Sequence, residues 1–177
     1  MATSGKNLSS FDKKTLPDAK KMVVGIVVSE WNNEITENLL KGAKETLEDL
    51  QVDANNIHIH YVPGTFELAL GAQYLLEHTE VQGVIALGSV IQGETKHFDF
   101  VCNGATNGII NVGLKYNKPV IFGVLTDNTL QQARDRSGGK HGNKAIECAI
   151  ACIKMIALKE KINSPKGKIG FSNHHWE

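Results

Sequence analysis

Short apolar runs alternate along this chain with longer stretches in which apolar residues recur at helical spacing, and this alternation restricts the possible folds more than any other feature. Residues 22–28 form a continuous apolar run. Behind the start signal Asn32-Asn33, the residues Ile35, Leu39, Ala43, Leu47 and Leu50 then share one helical face. Residues 57–62, Ile-His-Ile-His-Tyr-Val, alternate as a strand with one polar face does; this suits a sheet edge and predicts that His58 and His60 face solvent. Pro63-Gly64 ends that strand, and residues 65–77 have helical spacing through Leu68, Ala72 and Leu75. A third strand over 83–87, a helix over 100–116, a fourth strand over 120–125 and a short helix near 129–136 follow. A last helix carries the stripe Ala145, Ile146, Ala149, Ile150, Ile153, Ile156 and Ala157. Strands alternating with helices imply right-handed crossovers and a parallel sheet covered on both faces, here a small doubly wound α/β domain of four main strands. With no internal repeat or dividing linker, residues 1–177 read as one domain: an N-terminal arm over 1–20, an α/β core over 21–160 and a loose tail over 161–177.

Composition narrows the function classes. Lys plus Arg and Asp plus Glu both number 19, so the chain carries no net basic charge for nucleic acid. No apolar run approaches the roughly 20 residues of a membrane helix. The first ten residues lack the apolar segment of a secretory signal, so they read as a flexible or partner-dependent arm and the expected location is cytoplasmic. The three cysteines, Cys102, Cys148 and Cys152, are too few and too scattered for a disulfide framework. Cys148 and Cys152 would share a helical face, but Ala145, Ala149 and Ile153 beside them indicate buried packing, so no metal site is expected.

Chemistry concentrates where the strands end, which is where open α/β sheets bind ligands. The third apolar run breaks at Gly88 and Gly93 into a polar loop holding Glu94, Thr95, Lys96, His97 and Asp99. Glycines there let backbone N–H groups approach an anion, the Thr95 hydroxyl adds a donor, and His97 can move a proton near neutral pH. The first strand ends in Ser29-Glu30-Trp31-Asn32, the second in Val62-Pro-Gly-Thr-Phe-Glu67 and the fourth in Ile121-Phe-Gly-Val-Leu-Thr126. A polar, aromatic-lined rim with one histidine suits a small heterocycle. Of the 19 basic side chains only Arg134 and Arg136 are arginines, beside the Gly-rich stretch 137–142. A guanidinium fork suits phosphate, and spacing by two places these residues on different helix faces, so at most one serves a given site.

Four motifs in this order resemble the lumazine synthase family: Val62-Pro-Gly-Thr-Phe-Glu67, Gly88-Ser-Val-Ile-Gln-Gly-Glu-Thr-Lys-His-Phe-Asp99, Pro119-Val-Ile-Phe-Gly123 and Arg136-Ser-Gly-Gly-Lys-His-Gly-Asn-Lys144. The resemblance spans residues 21–158 and implies a flavodoxin-like sheet. It also implies condensation of 5-amino-6-(D-ribitylamino)uracil with 3,4-dihydroxy-2-butanone 4-phosphate. The products are 6,7-dimethyl-8-ribityllumazine, inorganic phosphate and water, and no metal or organic cofactor takes part. Carried over by motif, Trp31 stacks on the pyrimidine, while Thr65, Phe66 and Glu67 hold the ribityl chain and ring edge. Ser89, Val90 and Ile91 present backbone groups to the pyrimidine, and Phe122 closes the aromatic pocket. Gly93, Glu94, Thr95 and Arg136 receive the phosphate, His97 moves protons, and Lys144 is an additional ligand candidate.

Two residues depart from the usual pattern of that family. Trp31 stands where phenylalanine is common, and Glu94 places a carboxylate in a phosphate loop, its backbone N–H rather than its side chain serving the anion. The family pattern further implies a homopentamer whose sites lie between neighbours, with Trp31, Glu67 and His97 from one subunit and Phe122 and Arg136 from the next. The short connection 138–142 resembles members that form sixty-subunit capsids, and riboflavin synthase is a candidate partner. From the residues alone, Gly104 and Gly108 form a small-residue face for close approach to another element, of a neighbouring subunit or of this chain. The competing readings are a non-catalytic flavin- or nucleotide-binding carrier, which has no need of both His97 and Arg136, and a shell protein, which is compatible with catalysis.

Overall fold

The computed structural model describes residues 7–9 and 11–163. Strand β1 (Val24–Ser29) leads into helix α1 (Asn33–Asp49), β2 (Ile57–Val62), α2 (Leu68–His78) and β3 (Gly83–Ile91). Helix α3 (His97–Tyr116), β4 (Val120–Asp127) and α4 (Leu130–Arg136) follow, then a small hairpin of β5 (Ser137–Gly139) and β6 (Gly142–Asn143), and finally α5 (Lys144–Asn163). The four long strands form one parallel sheet in the order β2-β1-β3-β4. This is the expected doubly wound α/β architecture.

Strand alternation divides the core in two. Ile26, Val28, Ile85 and Leu87 face α1 and α5, meeting Ile35, Leu39, Leu47, Ala149 and Ile153. Val27, Val84 and Ala86 face α2 and α3, meeting Leu68, Leu75, Ile109 and Val112. Both central strands are therefore apolar on every side, which is why β1 and most of β3 read as continuous apolar runs rather than alternating ones. As expected, β2 is an edge strand and His60 is exposed, but His58 is only half-exposed. Among the described residues no helix is long and apolar enough to cross a membrane.

Three expected boundaries move, each for a physical reason. Strand β3 does not break at Gly88 but runs to Ile91, because β4 pairs with it residue for residue as far as Asp127. Gly88 serves packing: a Cβ there would lie 2.8 Å from the Thr65 hydroxyl and 2.9 Å from Leu68. Helix α3 starts at His97 rather than residue 100, so the histidine opens a helix. Residues 65–67 form a tight 3₁₀ turn before α2.

Part of the N-terminal arm is pinned to the hairpin: Leu8 N–H donates to the His141 carbonyl at 2.9 Å, and the Ser9 hydroxyl accepts from Asn143 N–H at 3.1 Å. Of the tail expected after Glu160, residues 161–163 belong to α5 and the rest lies outside the described residues.

Candidate active site

The chain runs outward from β1 to β2 and then returns to place β3 on β1's other side, so its topological switch point lies between β1 and β3. Loops leaving the carboxyl ends of those two strands diverge there and open a crevice. Asn32, in the left-handed region at φ 58°, ties the loop after β1 to the end of β3 by donating its side-chain amide to the Ser89 carbonyl at 2.8 Å. A cavity of about 710 Å³ occupies this crevice.

Of the residues expected to act, Trp31, Thr65, Phe66, Glu67, Ser89, Val90, Ile91, Gly93, Thr95 and His97 all line this cavity. Trp31 leaves β1 with its indole 71% exposed, a free aromatic face for a planar ligand. The 3₁₀ turn brings Thr65, Phe66 and Glu67 to the same wall from the end of β2. Buried hydroxyls of Thr65 and Ser89 have no hydrogen-bond partner among the described residues. Since an unpaired buried polar group costs about 1–3 kcal/mol, such atoms favour an occupant that carries complementary polar groups.

The far wall is the start of α3. Gly93 and Thr95 precede its first turn, and His97 is its first residue, with its backbone N–H 3.4 Å from the Thr95 hydroxyl. A twenty-residue helix directs the positive end of its dipole at this point, which suits a phosphate. The first turn also carries Asp99, and no cluster of three or more potential metal ligands occurs among the described residues.

Glu94, Phe122 and Arg136 do not line the cavity. Glu94 is exposed in the loop before α3. Phe122 lies on β4 and packs against the α2–α3 side of the core. Arg136 ends α4, with Nη1 donating to the Gln132 carbonyl at 3.0 Å and lying 3.7 Å from Asp127 Oδ1. Arg134 clasps Glu34 through two hydrogen bonds of 2.7 and 3.0 Å, which holds the Glu34 carboxyl below the usual range. Arg134 thus has the Nε–Nη2 edge of its guanidinium engaged, whereas among the described residues Arg136 hydrogen-bonds through Nη1 alone. Lys144 pairs with Glu147 at 2.5 Å and also stands outside the cavity.

A family model described as 6,7-dimethyl-8-ribityllumazine synthase matches residues 21–160. A protein of that name from Flavobacterium johnsoniae is 56% identical over 91% of this chain and 85% of its own length. Namesakes from Christiangramia forsetii (52% identical, 94% of this chain and all of theirs) and Cytophaga hutchinsonii (55%, 89% and 98%) agree. The chain belongs to the lumazine synthase family.

Several wall residues escaped the motif-based reading of a lumazine synthase site: Asn32, Gly64, Phe98, Phe100 and Val101 also line the cavity. Phe100 and Val101 stand three and four positions beyond His97 on α3, hence on its face. Starting that helix at His97 would have found them; placing its start at residue 100 concealed the spacing.

Proposed function

We propose that this chain condenses 5-amino-6-(D-ribitylamino)uracil with 3,4-dihydroxy-2-butanone 4-phosphate, giving 6,7-dimethyl-8-ribityllumazine, inorganic phosphate and water. The observation that carries this reading is a single cavity, in a member of this family, whose wall combines a free indole face, unpaired buried hydroxyls, a histidine and a helix N-terminus. Trp31 stacks on the pyrimidine, Thr65 to Glu67 hold the ribityl chain, and the backbone of Ser89 to Ile91 meets the ring edge. The phosphate rests on Gly93, Glu94 N–H and Thr95. His97 takes and returns protons as the aryl amine adds to the ketone and the adduct loses a first water, phosphate leaves, and the ring closes with loss of a second water. Positioned acid–base groups contribute roughly 10²–10⁴-fold, whereas alignment of two reactants can contribute on the order of 7–11 kcal/mol. Rate therefore rests mainly on alignment.

Phe122 and Arg136 complete the site from the neighbouring subunit of a pentamer. A monomer would leave Trp31 and Phe100 each 71% exposed at the cavity. On α3 the exposed residues Phe100, Asn103, Asn107, Ile110 and Leu114 follow spacings of three and four, the seam of a helix packed against other helices. The tight hairpin over 137–143, with Gly138 and Gly142 at φ 123° and 85°, favours assembly of pentamers into a sixty-subunit shell. Such a shell offers riboflavin synthase a docking partner in the cytoplasm.

Incubating the purified protein with both substrates and following lumazine fluorescence tests the activity; a protein that binds the pyrimidine but forms no product is a carrier. His97→Ala should lower turnover about 10²-fold while leaving pyrimidine affinity within a factor of about two.

A further inference from the structure

Asp127 is a buried carboxylate that nothing in the proposed reaction uses. It ends β4, opposite Ile91 at the end of β3, and its carbonyl accepts from Gln92 N–H at 2.9 Å. Its backbone is thereby fixed to the segment that continues into the phosphate loop at Gly93. The side chain is only 7% exposed, with Oδ1 3.7 Å from Arg136 Nη1 and Oδ2 unpartnered among the described residues. Burial pushes the carboxyl above its ordinary range and the Arg136 guanidinium pulls it back. A desolvated charge with one unpaired oxygen is a poor means of stabilising a fold, since an apolar side chain of similar volume serves as well or better. Its presence calls for a role through Arg136.

We propose that Asp127 is a positioning residue for Arg136, holding one edge of the guanidinium so that the other edge faces the phosphate of the second substrate. The Gln132 carbonyl and Asp127 Oδ1 both lie at Nη1, which leaves Nε and Nη2 as the edge without a partner among the described residues, on a side chain that is 38% exposed. Two parallel N–H donors on one edge form the fork that suits a phosphate. Asp127 is too deeply placed to meet the anion itself, so its negative charge orients the arginine without repelling the ligand at contact. This rests on the proposed phosphate role of Arg136.

The test is a double-mutant cycle on KM for 3,4-dihydroxy-2-butanone 4-phosphate, with inhibition by inorganic phosphate and KM for the pyrimidine measured in parallel. Arg136→Ala should raise KM for the phosphorylated substrate about ten- to a hundred-fold. Asp127→Ala should raise it about five-fold, weaken phosphate inhibition in proportion and leave the pyrimidine KM within about two-fold. In the Arg136→Ala background Asp127→Ala should add nothing. Asp127→Asn, which keeps a neutral acceptor at Oδ1 and the side-chain shape, should recover about half of the loss on a logarithmic scale. An unchanged KM in both Asp127 variants, equal damage to both substrates, or an undiminished effect without Arg136 would overturn the proposal while leaving Arg136 as the phosphate ligand. An Arg136→Ala variant with normal affinity for the phosphorylated substrate would overturn the underlying reading itself.

Discussion

Cys148 and Cys152 lie one turn apart on the buried face of α5, and burial pushes their thiols up to about 11 and about 12. Thiolate is the reactive form, so both should resist alkylation in the native protein at pH 8. Cys102 is half-buried, and burial with Asp99 nearby raises its thiol as well. Native labelling followed by mass spectrometry should therefore show slow modification at Cys102 alone, and all three cysteines should react in denaturant. The sign also fixes an alkaline effect: above pH 9 an unfolded chain loses the Cys148 and Cys152 protons first, so stability falls as pH rises from about 9 towards 12. At the cavity, the exposed indole of Trp31 should retain flavins as well as the pyrimidine. Stacking adds about 0.5–1.5 kcal/mol beyond area burial, so Trp31→Ala should weaken riboflavin about three- to ten-fold. Titration with riboflavin monitored by tryptophan quenching checks this, with Trp176 as a constant background.

At the scale of elements, the glycines of α3 report what that helix touches. A Cβ on Gly104 would lie 2.4 Å from the ring of Phe66, and one on Gly108 would lie 2.7 Å from the Ala69 Cβ. The small-residue face anticipated in the sequence therefore accommodates this chain's own 3₁₀ turn and α2. The two positions should answer substitution differently. The Phe66 ring is more than half exposed and can move, so Gly104→Ala should change pyrimidine affinity more than stability. Ala69 is anchored to the α2 backbone and cannot yield, so Gly108→Ala should cost about 1–3 kcal/mol, read as a lower denaturation midpoint. Asn143 plays a comparable part across the sheet: its amide donates to the Asn38 carbonyl at 2.7 Å and its oxygen accepts from Ala145 N–H at 2.9 Å, joining α1 to the start of α5. Within the Gly-Asn-Lys motif the asparagine is therefore structural.

For the whole molecule, the cavity holds one part of the expected machinery: Glu94 stands between the lining residues Gly93 and Thr95 without lining it, and Phe122 and Arg136 lie elsewhere on the chain. If neighbours supply Phe122 and Arg136, light scattering should give the mass of a pentamer or of a sixty-subunit shell. Mixing impaired His97→Ala with impaired Arg136→Ala subunits under conditions of exchange should then raise activity above that of either variant, at interfaces that carry both intact residues. A fully active monomer would exclude a shared site.

Strand and helix order, the two-faced burial of β1 and β3 and the family were legible in the residues, because apolar periodicity is imposed by what each element must bury. That Trp31, Thr65, Glu67, Ser89, Thr95 and His97 gather around one cavity was legible too, since they stand at or just beyond strand ends. Other properties depend on residues far apart in the chain and left no local pattern. Gly88 reads as a loop glycine until Thr65 and Leu68 are seen against it. The length of β3 was set by its pairing with β4, and the start of α3 by where that strand ended. The partners of Arg134 and Arg136 were likewise decided by tertiary contact, for Glu34 stands a hundred residues from the arginine it holds. Asp127 passes in the sequence as an ordinary polar residue at a strand end; only burial beside Arg136 makes its charge consequential.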